Sequence, residues 1–178
     1  MRYLVVEPLQ TLTFGPFGEV IEASDERPHF AINDGFAERY HDLARIDVGG
    51  GDGGVRVLVS IFRARARGLP LQLAMLERHP LGSQAFMPLS PHPYLVVVAP
   101  SGDARGDAPD TARLRCFVAR PGQGVNYARG TWHHPLIALH DGSDFLVLDR
   151  GGAAGEANCD VVQLSSVEIA VPLFCYGD

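Results

Sequence analysis

Short apolar runs punctuated by turn-forming residues dominate the chain. They are Tyr3–Val6, Gly18–Glu22, Val55–Ala64, Leu69–His79, Gln84–Leu89, Tyr94–Ala99, Leu114–Ala119, Gly124–Tyr127, His133–Leu139 and Asp144–Leu148, with weaker ones at Val161–Leu164 and Val167–Val171. Gly, Pro, Asp or Ser separates most of them, the spacing expected of an all-β sandwich or barrel. Helical periodicity is poor, and one short helix is predicted at Thr11–Phe14 with Thr11 as its cap. Within Leu69–His79, alternation puts Leu69, Leu71, Leu73, Met75, Glu77 and His79 on one face. That face begins apolar and ends with an acid and an imidazole.

Two segments read as loops: the glycine run Gly49–Gly54, and Pro100–Asp110, rich in Gly, Asp and Pro. Neither divides the chain into self-sufficient halves, so residues 1–178 are expected to form a single domain. The glycine run lacks a closing Gly-Lys-Ser/Thr and leads into a strand, so it is not a phosphate loop.

Composition narrows the function. Hydrophobic residues make up 46%, enough for a substantial core. A net charge of −6 without a basic stripe argues against nucleic-acid binding. All fifteen basic residues are arginine, which excludes lysine Schiff-base chemistry. An anionic substrate would be held by an arginine fork. Cys116, Cys159 and Cys175 show no Cys-x-x-Cys spacing, so a cytoplasmic protein without a disulfide framework is expected. The opening residues do not read as a signal peptide, and no apolar run has membrane-spanning length.

Candidate chemistry concentrates in two distant stretches, Glu77-Arg78-His79-Pro80-Leu81-Gly82-Ser83-Gln84 and Gly130-Thr131-Trp132-His133-His134-Pro135. Each sets ligand-type side chains at the edge of an apolar run, and a β-barrel can bring such edges into one pocket. Neighbouring strand residues face opposite ways, so His133 is expected inside and His134 towards solvent or a subunit interface. Glu77 reads either as a rim partner of Arg78 or Arg129, or as a base whose pKa burial raises. Asp149-Arg150-Gly151-Gly152 reads as a turn held by a salt bridge, and Cys159 as a buried thiol rather than a nucleophile.

The pattern resembles the cupin superfamily, whose His-x-His, following carboxylate and later Gly-x-x-His build a metal site. The matching positions are Glu77, His79, Gln84 and His133, with Gly130 as the turn glycine. Glutamate here replaces the first histidine and an amide replaces the carboxylate. Over nearly the whole chain there is a closer resemblance, to the ureidoglycolate lyase (ureidoglycolate hydrolase) family. It rests on Phe30–Gly35, Glu38–Leu43, Leu76–Phe86, Gly124–Tyr127, Trp132–Leu136, Asp149–Gly152 and Asn158–Val161.

That resemblance implies a cupin-like β-barrel or double-sheet jelly roll with short helices, usually a homodimer. The implied reaction splits (S)-ureidoglycolate into glyoxylate and urea in allantoin and purine breakdown. It implies catalytic His79, His133, Glu77 and Tyr127, with a divalent ion (Ni or Zn) on Glu77, His79, Gln84 and His133 if one is bound, and no organic cofactor. Arg39, Arg63 or Arg78 would hold the substrate carboxylate, and Asn126, with Tyr127, the ureido group. The competing expectations are another cupin-type enzyme and a cupin sensor that binds a small acid without catalysis.

Overall fold

Two facing sheets carry most of the apolar runs. The computed structural model describes residues 2–50, 54–103, 105–152, 157–164 and 169–172. In chain order the strands are β1 (Arg2–Tyr3), β2 (Val6–Pro8), β3 (Gly18–Ile21), β4 (His29–Ile32), β5 (Ala37–Tyr40), β6 (Arg56–Ala64), β7 (Leu71–Gln72), β8 (Met75–Arg78) and β9 (Gln84–Pro88). They continue with β10 (Tyr94–Ala99), β11 (Arg115–Ala119), β12 (Gly124–Tyr127), β13 (Trp132–His133), β14 (Ile137–Ala138), β15 (Ser143–Gly151), β16 (Asp160–Gln163) and β17 (Ile169–Val171). One helical turn, α1 (Thr11–Phe14), precedes β3; its N-cap is Gln10 rather than Thr11, and no side chain caps it.

A five-stranded sheet runs β3-β12-β9-β15-β6, and a larger sheet runs β16-β8-β13-β10-β11-β2 with β14 also on β10. Phe86, Val125, Tyr127, Phe145 and Val147 from the first pack against Tyr94, Val96, Val98, Phe117 and Ala138 from the second. Behind the larger sheet a second core gathers Leu73, Leu76, Leu95, Val97, Trp132 and Ile137, closed by the small sheet β1-β17-β7. Strand β10 is therefore buried on both faces, which is why Tyr94–Ala99 reads as an unbroken apolar run. The fold is all-β and cupin-like. Its ladders leave the two sheets open to one another at the edges instead of closing into a continuous barrel.

Three expectations about strands are corrected. Leu69–His79 is not one strand: β7 joins the small sheet and β8 the larger one. The alternation changes phase between them. Leu69, Leu71 and Leu73 serve the rear core, whereas Leu76 does so in β8, leaving Glu77 for the front. Pro135 lies in the gap that divides His133–Leu139, and β13 and β14 pair separately with β10. Asp149–Gly151 extends β15 rather than forming a turn. The β4–β5 hairpin went unread because its strands bury no face, although Asn33 and Asp34 (φ 53 and 55) mark its turn. Among the described residues, no helix is long and apolar enough to cross a membrane.

Candidate active site

Register places the key side chains. Glu77 of β8 lies directly opposite His133 of β13, and His133 opposite Val98 of β10, so all three face the front core. His79 follows β8, and its Nδ1 lies 2.6 Å from the Asn158 carbonyl. The Asn158 side chain in turn accepts from the Leu81 amide, which pins the turn after His79. His133 Nδ1 lies 2.9 Å from the Thr131 carbonyl. Each Nδ1 thus donates to a carbonyl, which turns both Nε2 atoms towards the cup. Ligand atoms of Glu77, His79 and His133 lie within 4.8 Å of one another, and the three can hold a metal ion.

The opposite sheet supplies the remaining wall. Gln84 of β9 and Tyr127 of β12 sit opposite each other in register and share the inner face. Gln84 Oε1 lies 3.1 Å from His79 Nε2, and the Tyr127 ring stacks on His133 at 4.1 Å between centroids. Phe62, Phe86 and Phe145 continue the same face as an apolar wall.

Two features mark the cluster. His133 Nε2 is buried without a hydrogen bond; Glu77 Oε1, its nearest charged neighbour, is 3.5 Å away. His79 Nε2 is within hydrogen-bond distance of Gln84 Oε1, while its Nδ1 meets the Asn158 carbonyl, so an oxygen lies at both ring nitrogens. The donor set of two imidazoles and a carboxylate, with an amide oxygen beside them, fits a divalent ion.

Electrostatics fixes the protonation states. Burial pushes the Glu77 carboxyl up, but His133, His79 and His134 together outweigh it and hold its pKa below the ordinary value. Glu77 is therefore ionised, and its pKa is lowered rather than raised as burial alone would have it. Burial, with Glu77 nearby, pushes the Tyr127 hydroxyl well above its usual range, so it stays a donor. His134 is buried rather than solvent-facing: its Nδ1 lies 2.7 Å from the Pro135 carbonyl, and burial lowers its pKa. Cys159 is exposed rather than buried, with Sγ 3.9 Å from Glu77 Oε2. Desolvation and the neighbouring carboxylates raise its pKa, which keeps the thiol protonated.

The other substrate-binding candidates lie apart. Arg78 points behind the larger sheet, where Nε donates to Asp160 (2.8 Å), further N–H groups reach Gly106 and Asp107, and the guanidinium covers the Trp132 ring. Arg63 pairs with Asp144 on the outer face of the five-stranded sheet (2.8 Å). Arg39 belongs to the β4–β5 hairpin. Asn126 alternates with Tyr127 onto the outer face and donates to Glu19 and to the Arg45 carbonyl. Arg129 pairs with Asp47 rather than Glu77. Sequence reasoning overlooked Asn158 as the residue orienting His79, and Asp149, which alternation with Phe145 and Val147 could have placed on the inner face.

Residues 1–171 match the family model described as ureidoglycolate lyase. The chain belongs to the ureidoglycolate lyase family. A ureidoglycolate lyase from Burkholderia mallei (strain NCTC 10229) is 53% identical over 158 residues, spanning 89% of this chain and 88% of the relative. One from Azotobacter vinelandii is 52% identical over 160 residues, 90% and 91% of the two chains. A third, from Pseudomonas syringae pv. tomato, is 50% identical over 90% and 89%.

Proposed function

We propose that this protein is a carbon–nitrogen lyase that cleaves (S)-ureidoglycolate to glyoxylate and urea in allantoin and purine breakdown. The observation that carries the reading is the convergence of Glu77, His79, His133 and Gln84 on one cup, in a chain of this family. Ureidoglycolate carries a hydroxyl, a carboxylate and a ureido nitrogen on one carbon. Cleavage moves the hydroxyl proton to the departing nitrogen while the C–N bond breaks and the carbon becomes an aldehyde. No water is consumed.

Glu77, His79, Gln84 and His133 would hold a divalent ion, nickel or zinc. Bound there, the ion supplies the positive charge that polarises the hydroxyl and offsets the substrate carboxylate. The carboxylate of Glu77, ionised at neutral pH, holds the proton as it passes from oxygen to nitrogen. Tyr127 donates a hydrogen bond to the substrate from beside His133. The absence of lysine suits an aldehyde product, since no side-chain amine can trap glyoxylate as an imine. Incubation with racemic ureidoglycolate should release equal amounts of urea and glyoxylate and leave one enantiomer untouched. Ammonia in place of urea would overturn the reading. Metal analysis with activity before and after chelation tests the ion.

The assembly proposed is a homodimer. Among the described residues, no strand pairs with the outer edge of β6 in the five-stranded sheet, where Val59 is 69% and Ile61 55% exposed. Among the same residues the β4–β5 hairpin forms a sheet of its own, and it exposes Phe30 and Phe36. Charge favours joining the two: residues 25–42 carry five acids against two arginines, and residues 56–67 carry four arginines and no acid. Ile61→Glu should shift the mass seen by light scattering from dimer to monomer. The free cysteines Cys116 and Cys159 favour a reducing, cytoplasmic setting.

A further inference from the structure

Asp149 is a half-buried acid that the proposed reaction has not used. Its Oδ1 is buried and has no hydrogen-bond partner. On β15, Phe145, Val147 and Asp149 alternate on one face, and the first two belong to the front core. The β9–β15 ladder pairs Ala85 with Leu148, so one step further along the register Asp149 stands opposite Gln84. Gln84 is itself opposite Tyr127, and Asp149 is opposite Leu58 of β6. Tyr127, Gln84 and Asp149 thus form a polar row across the inner face, with an apolar residue beyond the acid. Asp149 stands outside the group of ligand atoms formed by Glu77, His79 and His133.

On the reading that this cup cleaves ureidoglycolate, we propose that Asp149 binds the ureido end of the substrate by accepting its N–H groups. A carboxylate can only accept, and a ureido group presents parallel N–H donors to it. The substrate carboxylate is repelled from Asp149 and must lie at the opposite end of the row, near Tyr127. Adjacent strands are about 4.8 Å apart, so the row spans about 10 Å, enough to seat the substrate lengthwise with its carbinol carbon above Gln84 and beside His79. Asp149 thereby sets which end of the substrate faces which wall.

The test is binding of urea, read by saturation-transfer NMR on wild-type protein and on Asp149→Asn, with glyoxylate as the control. Losing a charged acceptor should weaken urea about ten- to hundredfold and leave glyoxylate unchanged. In wild-type protein, tetramethylurea, which has no N–H donor, should bind at least about tenfold more weakly than urea; this arm holds even if the variant fails to fold. Equal affinity of variant and wild type for urea, or of urea and tetramethylurea for wild type, overturns the assignment, as does failure of urea to bind. Because these readouts need no turnover, a wild-type protein that binds urea through Asp149 but releases no glyoxylate would sink the lyase reading and leave the urea subsite standing.

Discussion

The two faces of the five-stranded sheet use the same strands for opposite ends. On the outer face, Asn126 is tied to Glu19 and the Arg45 carbonyl, Arg150 to the Val48 carbonyl, and Ser83, just before β9, to both backbone groups of Asp47. Residues 45–48 form a strap over that face. On the inner face, one residue away in each strand, Gln84, Tyr127 and Asp149 are aimed at the cup, where His133 Nε2 and Asp149 Oδ1 are buried without partners. Buried polar atoms normally find partners, because leaving one unmade is expensive. Asn126 Oδ1 is buried without a partner as well, so an orphaned atom points to a ligand only where it faces the cup, as His133 Nε2 and Asp149 Oδ1 do. Residue type alone does not separate the two faces, since Asn126 and Gln84 are both buried amides.

Inner-face substitutions should break function first and most. His79→Ala and His133→Ala are each expected to lower kcat/KM for ureidoglycolate by about 10³-fold. Circular dichroism would check that the fold survives. Near-normal rates in either folded variant would remove the cup from the chemistry. On the outer face the effect should transfer to stability. Asn126→Ala strands Glu19 and the Arg45 carbonyl and should cost about 1–3 kcal/mol in a denaturant titration, with kcat unchanged. A kcat collapse in folded Asn126→Ala would return that residue to the substrate.

Gly82→Ala tests how tightly the strap sits. A Cβ there would lie 2.8 Å from the Asp47 carbonyl oxygen and 2.9 Å from Arg150 Cβ. The expected loss is about 1–3 kcal/mol, read from thermal and denaturant unfolding. The acid limb of stability sharpens the comparison further. Bonding to Arg129 and to the Gly49 amide holds the Asp47 carboxyl below its ordinary 3.8. Asp47 therefore contributes stability that is present above 3.8 and fades as pH falls through its lower folded value. Asp47→Asn should flatten the fall in Tm over that range. The smallest effect belongs to Arg129→Ala. Its pair with Asp47 is well exposed, and the loss should stay below about 1 kcal/mol.

Much of the fold was legible wherever a strand buries one or both faces. The runs at Gly124–Tyr127 and Tyr94–Ala99 match β12 and β10 residue for residue. Reading failed where nothing was buried, as in the β4–β5 hairpin, and where a run changed sheets, as between Leu71 and Met75. Within the site, Glu77, His79 and His133 were picked out by residue type and spacing, Gln84 and Tyr127 by the family resemblance, and the structure gathers them. Arg78 and Asn126 were picked out by the same signs, but the pleat turns them to the other side of their sheets. Asp149 was missed because the Gly-Gly that follows it suggested a turn.

The amino-acid order alone determined an all-β chain without lysine, its two imidazole-bearing segments and its family, because local alternation, composition and shared motifs need no third dimension. Only the tertiary structure decided which side of each strand meets the cup. A one-residue change of phase reverses every side chain beyond it, and the phase is set by the register between strands far apart in the chain. That register pairs Glu77 with His133, and carries Asp149 to a place beside Gln84.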